Sequence, residues 1–155
     1  MINLSSNVTK FEEIFEEASY KIEESNFLTD TDEEIEEDFI HLLKDAIGRF
    51  DICYKDKEID FGMQTISPAL TLKEMKITTD LMLLAFMNRT IGNIQNYKVI
   101  LTTADYKTYS ESAMLSQKVA IQNKWLSTIE TQMLEYGHSQ AVSLLNKKIK
   151  ERRFQ

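Results

Sequence analysis

Apolar positions recur at helical spacing through most of the chain. Phe11, Ile14, Phe15, Ala18 and Ile22 mark one face of a first helix over about 10–24, with Glu12, Glu13, Glu16 and Glu17 opposite or flanking. Ile35, Phe39, Leu42, Leu43, Ala46, Ile47 and Phe50 mark a second over about 32–50. Between Thr71 and Ile91 the pattern changes: Met75, Ile77, Leu81, Met82, Leu83, Leu84, Ala85, Phe86 and Met87 leave almost no polar face. A helix greasy on nearly every side belongs at the centre of a bundle or against a neighbouring subunit. At about 30 Å it approaches the thickness of a bilayer's hydrocarbon. Lys73, Lys76, Asp80 and Arg89 interrupt it too often for a span. A last long helix is expected over about 110–136. Leu115, Val119, Leu126, Ile129, Met133 and Tyr136 form its stripe, widened by Met114, Ile121 and Trp125.

Each helix is introduced by a Thr-x-x-Glu pair: Thr9 and Glu12, Thr31 and Glu34, Thr71 and Glu74, Thr108 and Glu111. In such a capping box the hydroxyl and the carboxylate satisfy backbone N–H groups that the first turn leaves unpaired. Gly137 is read as the stop of the last helix, because glycine tolerates left-handed dihedrals. Beyond it, Ala141, Val142, Leu144, Leu145 and Ile149 mix with Lys147, Lys148, Lys150, Arg152 and Arg153 in a C-terminal arm or short helix. Ser25 to Asp30 is a connector. Two longer connections are expected at 51–70, with Ile59, Phe61 and Met63 alternating and Phe61 as anchor, and at 92–107, where Tyr97, Val99, Ile100 and Leu101 read as extended. The fold class is all-α: a compact bundle of about four helices with long inter-helix loops, a helical domain over 1–137 and a basic tail over 138–155.

Composition narrows the picture. One proline and four glycines in 155 residues argue against a sheet-and-turn architecture and a long linker. Cys53 is the single cysteine, so no intrachain disulfide is possible, and it reads as a small hydrophobe. The first residues lack the basic start and apolar run of a secretory signal, so the expected setting is inside a cell or a particle assembled there. Residues 1–60 carry 18 acidic and 6 basic side chains, a net of −12; the remainder carries 7 and 12, a net of +5. Chains so polarised can dock by charge complementarity.

No constellation for covalent chemistry emerges. His41 and His138 have no helically spaced partner, and neither zinc nor phosphate-loop motifs occur. Asp30, Asp32 and Glu34 have the opening rhythm of a calcium loop, but Ile35 stands where glycine is needed and His41 where the closing glutamate belongs. No cofactor and no enzymatic role are expected. The basic end can bind phosphate or an acidic protein rim, yet it has no recognition helix and no stacking aromatics. The unsatisfied surface points to assembly. The alternative is a small acidic helical protein that grips a host regulatory or DNA-binding protein.

From Phe11 to Tyr136 the order and spacing of segments resemble the head–tail connector, or adaptor, proteins of tailed bacteriophages of Gram-positive bacteria. The segments are Thr31-Asp32-Glu33-Glu34 leading into Phe39 to Phe50, the loop with Cys53 and Phe61, Leu70 to Met75 ahead of the apolar helix, and Asp105 to Ser110. Phe86 and Asn88 stand where such proteins often carry a tryptophan.

The resemblance implies a structural ring, usually of twelve copies, beneath the portal protein, followed by a stopper or tail-completion protein. The genomic DNA passes through without being read, and no membrane is involved. The particle is a virion assembled in the host cytoplasm. It implies a portal-docking C-terminal segment, here Leu144, Leu145, Lys147, Lys148, Ile149, Lys150, Arg152, Arg153 and Phe154. Glu33, Glu34, Glu36, Glu37 and Asp38 are expected to line or rim the channel, where negative charge repels phosphate. Ile77, Leu81, Leu84, Phe86, Trp125 and Ile129 are expected in the core or a subunit interface.

Overall fold

The computed structural model describes residues 7–22, 31–100 and 108–153, with the backbone path alone for 91–100 and 108–115. Its elements are β1 (Thr9–Lys10), α1 (Phe11–Lys21), α2 (Asp32–Arg49), α3 (Asp51–Tyr54), β2 (Glu58–Asp60), β3 (Thr65–Ser67), α4 (Leu72–Ile100) and α5 (Thr108–Arg153). The chain is largely all-α, as expected. α4 is the central post and packs against α1, α2 and α5. Six consecutive residues, Ile77 to Met82, are buried, and the three polar ones among them, Thr78, Thr79 and Asp80, are each hydrogen-bonded to another element.

Two capping boxes form as the sequence predicts. Glu34 N–H donates to Thr31 Oγ1 at 3.3 Å while Thr31 N–H donates to Glu34 Oε2 at 2.8 Å. The Thr71–Glu74 pair repeats this at 3.2 and 2.8 Å. The Thr9–Glu12 pair does not. Thr9 lies in β1, its hydroxyl accepts Leu70 N–H at 2.8 Å, and α1 starts at Phe11 without a side-chain cap. Side chains of the Thr108–Glu111 pair lie outside the described residues, as do the connector 25–30, Leu101 and Phe154.

The connection at 51–70 is folded. A three-stranded antiparallel sheet runs β1-β3-β2, with Ile66 paired to both Thr9 and Ile59. The β2–β3 turn covers 61–64, where Gln64 takes φ 53° and Asp60 Oδ1 accepts Met63 N–H at 2.9 Å. Phe61 is 43% exposed yet rests edge-on against the Phe11 ring, 5.5 Å between centroids, under Lys44. Two boundaries need correction. The expected connection at 92–107 is helical through Ile100, so Tyr97, Val99 and Ile100 are not extended. Gly137 does not stop the last helix: α5 runs on to Arg153, with ordinary negative φ at the glycine.

Ile77, Leu81, Leu84 and Ile129 are buried in the chain's own core, beside Phe11, Ile14, Leu43, Phe50 and Ile66. Phe86 is half-buried, with Arg89 over its ring. Trp125 is on the surface. Two ion pairs fasten the outer helices to α4. Lys21 reaches Asp80 at 2.8 Å and Thr79 Oγ1 at 2.6 Å, and Arg89 grips Asp38 through two hydrogen bonds of 3.0 and 3.1 Å.

Candidate docking surface

Among the described side chains, α5 is most deeply buried over one short length of its stripe. Ile129 and Tyr136 are buried, with Leu126 and Met133 half-buried between and beside them. Tyr136 closes the attachment: its hydroxyl donates to Glu74 Oε1 at 2.7 Å and its ring stands edge-on to Phe50 at 5.1 Å. Lys57 Nζ lies 3.4 Å from the other oxygen of Glu74. Burial pushes the Glu74 carboxyl up, but Thr71 N–H, the Tyr136 hydroxyl and Lys57 outweigh it and hold it below its ordinary value. Burial, and then the charge of Glu74, push the Cys53 thiol up to about 12. A neutral buried thiol is a poor nucleophile, so this cluster is a clamp between α3, α4 and α5.

Past Gly137 the helix stands largely in solvent. Every described side chain from His138 to Arg153 is exposed. The segment stays helical because Ala, Leu, Lys, Gln and Arg dominate it, all good helix formers. Lys150, Arg152 and Arg153 also complement the negative end of the helix dipole. Large apolar groups stand in water along it: Leu134 at 67% exposure, Val142 at 55%, Leu145 at 59% and Ile149 at 50%. At about 100° per residue, Leu134, His138, Ala141, Val142, Leu145 and Ile149 fall within an arc of about 100°. Leu144, also exposed, projects to one side of the stripe.

The stripe begins in a groove of about 640 Å³ between the α2–α3 corner and α5, with Phe50, Ile52, Met133, Leu134 and Ala141 among its lining and Asp51 and Glu130 at its edge. Ile52 is itself 46% exposed. Of the residues assigned to docking, Leu144, Leu145, Lys147, Lys148, Ile149, Lys150, Arg152 and Arg153 therefore share one projecting segment. Lys147 and Lys150 lie on its far side. The groove residues Ile52, Leu134 and Ala141 were not among them. Ile52 joins Leu134 only through the fold, whereas helical spacing alone could have found the stripe from Leu134 to Ile149 had the last helix not been ended at Gly137.

The acidic residues are placed differently. Glu33, Glu34, Glu36 and Glu37 are exposed on the first turns of α2, and Asp38 is half-buried. Three of the five have local work. Hydrogen bonds from Thr31 N–H and the Thr31 hydroxyl pull the Glu34 carboxyl below its ordinary value. Glu36 accepts from Gln64 Nε2 at 2.7 Å, and Asp38 holds Arg89. Glu33 and Glu37 have no hydrogen bond or ion pair with a described residue. Glu12, Glu16, Asp32 and Glu36 rim a second groove between α1 and α2, floored by Phe15, Ile35 and Phe39. Among the described residues no group of three His, Cys, Asp or Glu side chains could hold a metal, and no helix is long and apolar enough to cross a membrane.

Comparison with protein-family models, curated proteins and solved structures finds no significant match to this chain.

Proposed function

We propose that this protein is a structural connector of a tailed-phage head–tail junction. It forms a ring under the portal, extends the DNA channel and offers a platform to the next neck component. The reading rests on the resemblance of residues 11–136 to that class, and one observation carries it further. The last four turns of α5 leave the body carrying an exposed apolar stripe and five exposed basic side chains with no hydrogen bond or ion pair to a described residue. An isolated helical stretch gains nothing from packing and is marginal in water; this one is completed by a partner. Repeated around a ring, many weak helical contacts add to firm attachment through high effective concentration.

The acidic start of α2 belongs on the channel side in this proposal. Exposed carboxylates there repel passing phosphate, and Glu33 and Glu37 are the two with no hydrogen bond or ion pair to a described residue. The protein then works mechanically, in the virion, without a catalytic residue.

Co-expression with the portal protein of the same genome tests the proposal. The expected result is a co-purifying complex in which electron microscopy shows a ring of this chain on one end of the portal. The Leu145→Glu, Ile149→Glu double variant should lose that complex while its circular dichroism stays unchanged, because both positions are exposed. A chain that never joins the portal, or a double variant that joins it equally well, refutes the proposal.

A further inference from the structure

The stripe is polarised along its length. Its first half carries Glu130 and Glu135, with Asp51 across the groove; its second half carries Lys148, Arg152 and Arg153. On a helical projection Glu130 and Lys148 lie on one flank of the stripe and Glu135 and Arg153 on the other. Arg49, the basic group at the groove, is turned to Asp45 at 3.0 Å.

We infer that the free protein is an antiparallel dimer in which the α5 stripes of two copies cover each other. A two-fold axis between Ala141 and Val142 sets Leu134 level with Ile149 of the second copy, His138 with Leu145, and Ala141 with Val142. Antiparallel helices bring like flanks together. Glu130 then shares a flank with Lys148 of the second copy, and Glu135 with Arg153, each pair offset by about 7.5 Å along the axis, a gap their long side chains span. The axis makes each pair occur twice. Ile149 of the second copy enters the groove beside Ile52 and Leu134, and Arg152 approaches Asp51.

Parallel pairing of the same stripe would set Lys148, Arg152 and Arg153 against the same three side chains, and like charges at such an interface cost affinity. The contact is isologous, so it closes at two copies and does not propagate. It stands on α5 and the groove beside it and does not need the connector reading. If both hold, the second copy covers the portal-docking face until the portal displaces it.

Sedimentation of the full chain at micromolar concentration should give twice the 18.1 kDa monomer mass. Glu130→Lys with Glu135→Lys should weaken the dimer at least tenfold. Adding Lys148→Glu with Arg153→Glu to that variant should restore it, which a folding defect would not do. Register is read by cross-linking. A Leu134→Cys chain mixed with an Ile149→Cys chain should form a mixed disulfide under mild oxidation, and neither chain alone should; Cys53 is buried and does not compete. A monomer at every concentration overturns the inference. So does a dimer without the mixed cross-link, or one whose charge reversals are not rescued. A dimer that passes these tests and ignores the portal removes the connector reading instead.

Discussion

Replacing Tyr136 by Phe removes one hydroxyl and leaves the ring against Phe50. The lost hydrogen bond, 2.7 Å to Glu74 Oε1, ends on an ionised carboxylate in a buried site. Hydrogen bonds to charged groups contribute about 1.5–3 kcal/mol, so the expected cost at neutral pH is about 2 kcal/mol. For a chain of this size that lowers the melting temperature by about 4–8 °C. Glu74 sits below its ordinary value of 4.5 in the folded state. Its contribution is therefore present above that value and lost as pH falls through the folded one. Without the tyrosine the Glu74 carboxyl moves back up, so the gap between variant and parent should narrow as pH drops below about 4.5. Urea unfolding of parent, Tyr136→Phe, Glu74→Gln and the double variant at pH 7 and pH 4 measures both quantities. The coupling between the two residues should be about 1.5 kcal/mol or more at pH 7. A cost under about 0.5 kcal/mol, or one unchanged between the two pH values, would refute the view of Tyr136 as the clasp of α5.

Three further outcomes follow from the packing. Leu43 has no exposed surface, and Leu43→Ala should cost about 2–5 kcal/mol in urea unfolding. Gly137→Ala should stabilise by about 0.5–1 kcal/mol in the same measurement; φ is not positive there and the new Cβ would meet Ile52 Cδ1 at 3.4 Å, an ordinary contact. Asp80→Ala leaves Lys21 without its carboxylate, and Lys21 is about one-fifth exposed. A cost of about 2 kcal/mol, below that of a fully buried pair, should appear in thermal unfolding.

Local signals in the sequence were reliable where local physics decides. The boxes at Thr31 and Thr71 formed because their four residues supply both halves of the motif. The same letters at Thr9 and Glu12 failed because a longer-range pairing, Thr9 with Leu70 and Ile66, took the threonine into a strand. Gly137 resembled a stop, but a helix needs no side chain to continue its ladder, and the residues after it favour helix. The connection expected from residue 92 failed likewise, since α4 runs on to Ile100. The apolar core positions of α4, Ile77, Leu81 and Leu84, were legible from its dense apolarity; the buried Thr78, Thr79 and Asp80 were not. The ties on the acidic face were not, because Gln64 and Arg89 reach Glu36 and Asp38 across the fold. The groove was hidden for the same reason: Ile52 and Leu134 are distant in sequence and meet only once α3 turns.

α5 also acts as a lever whose fulcrum is Tyr136. Arg153 lies 17 residues beyond it, about 26 Å along the axis at 1.5 Å per residue. A tilt of about 10° at the fulcrum swings the tip by about 4.5 Å, nearly the width of one helical turn. A rearrangement too small to notice among Glu74, Lys57 and Phe50 is thereby enlarged at the far end into a step that changes which side chain a partner meets.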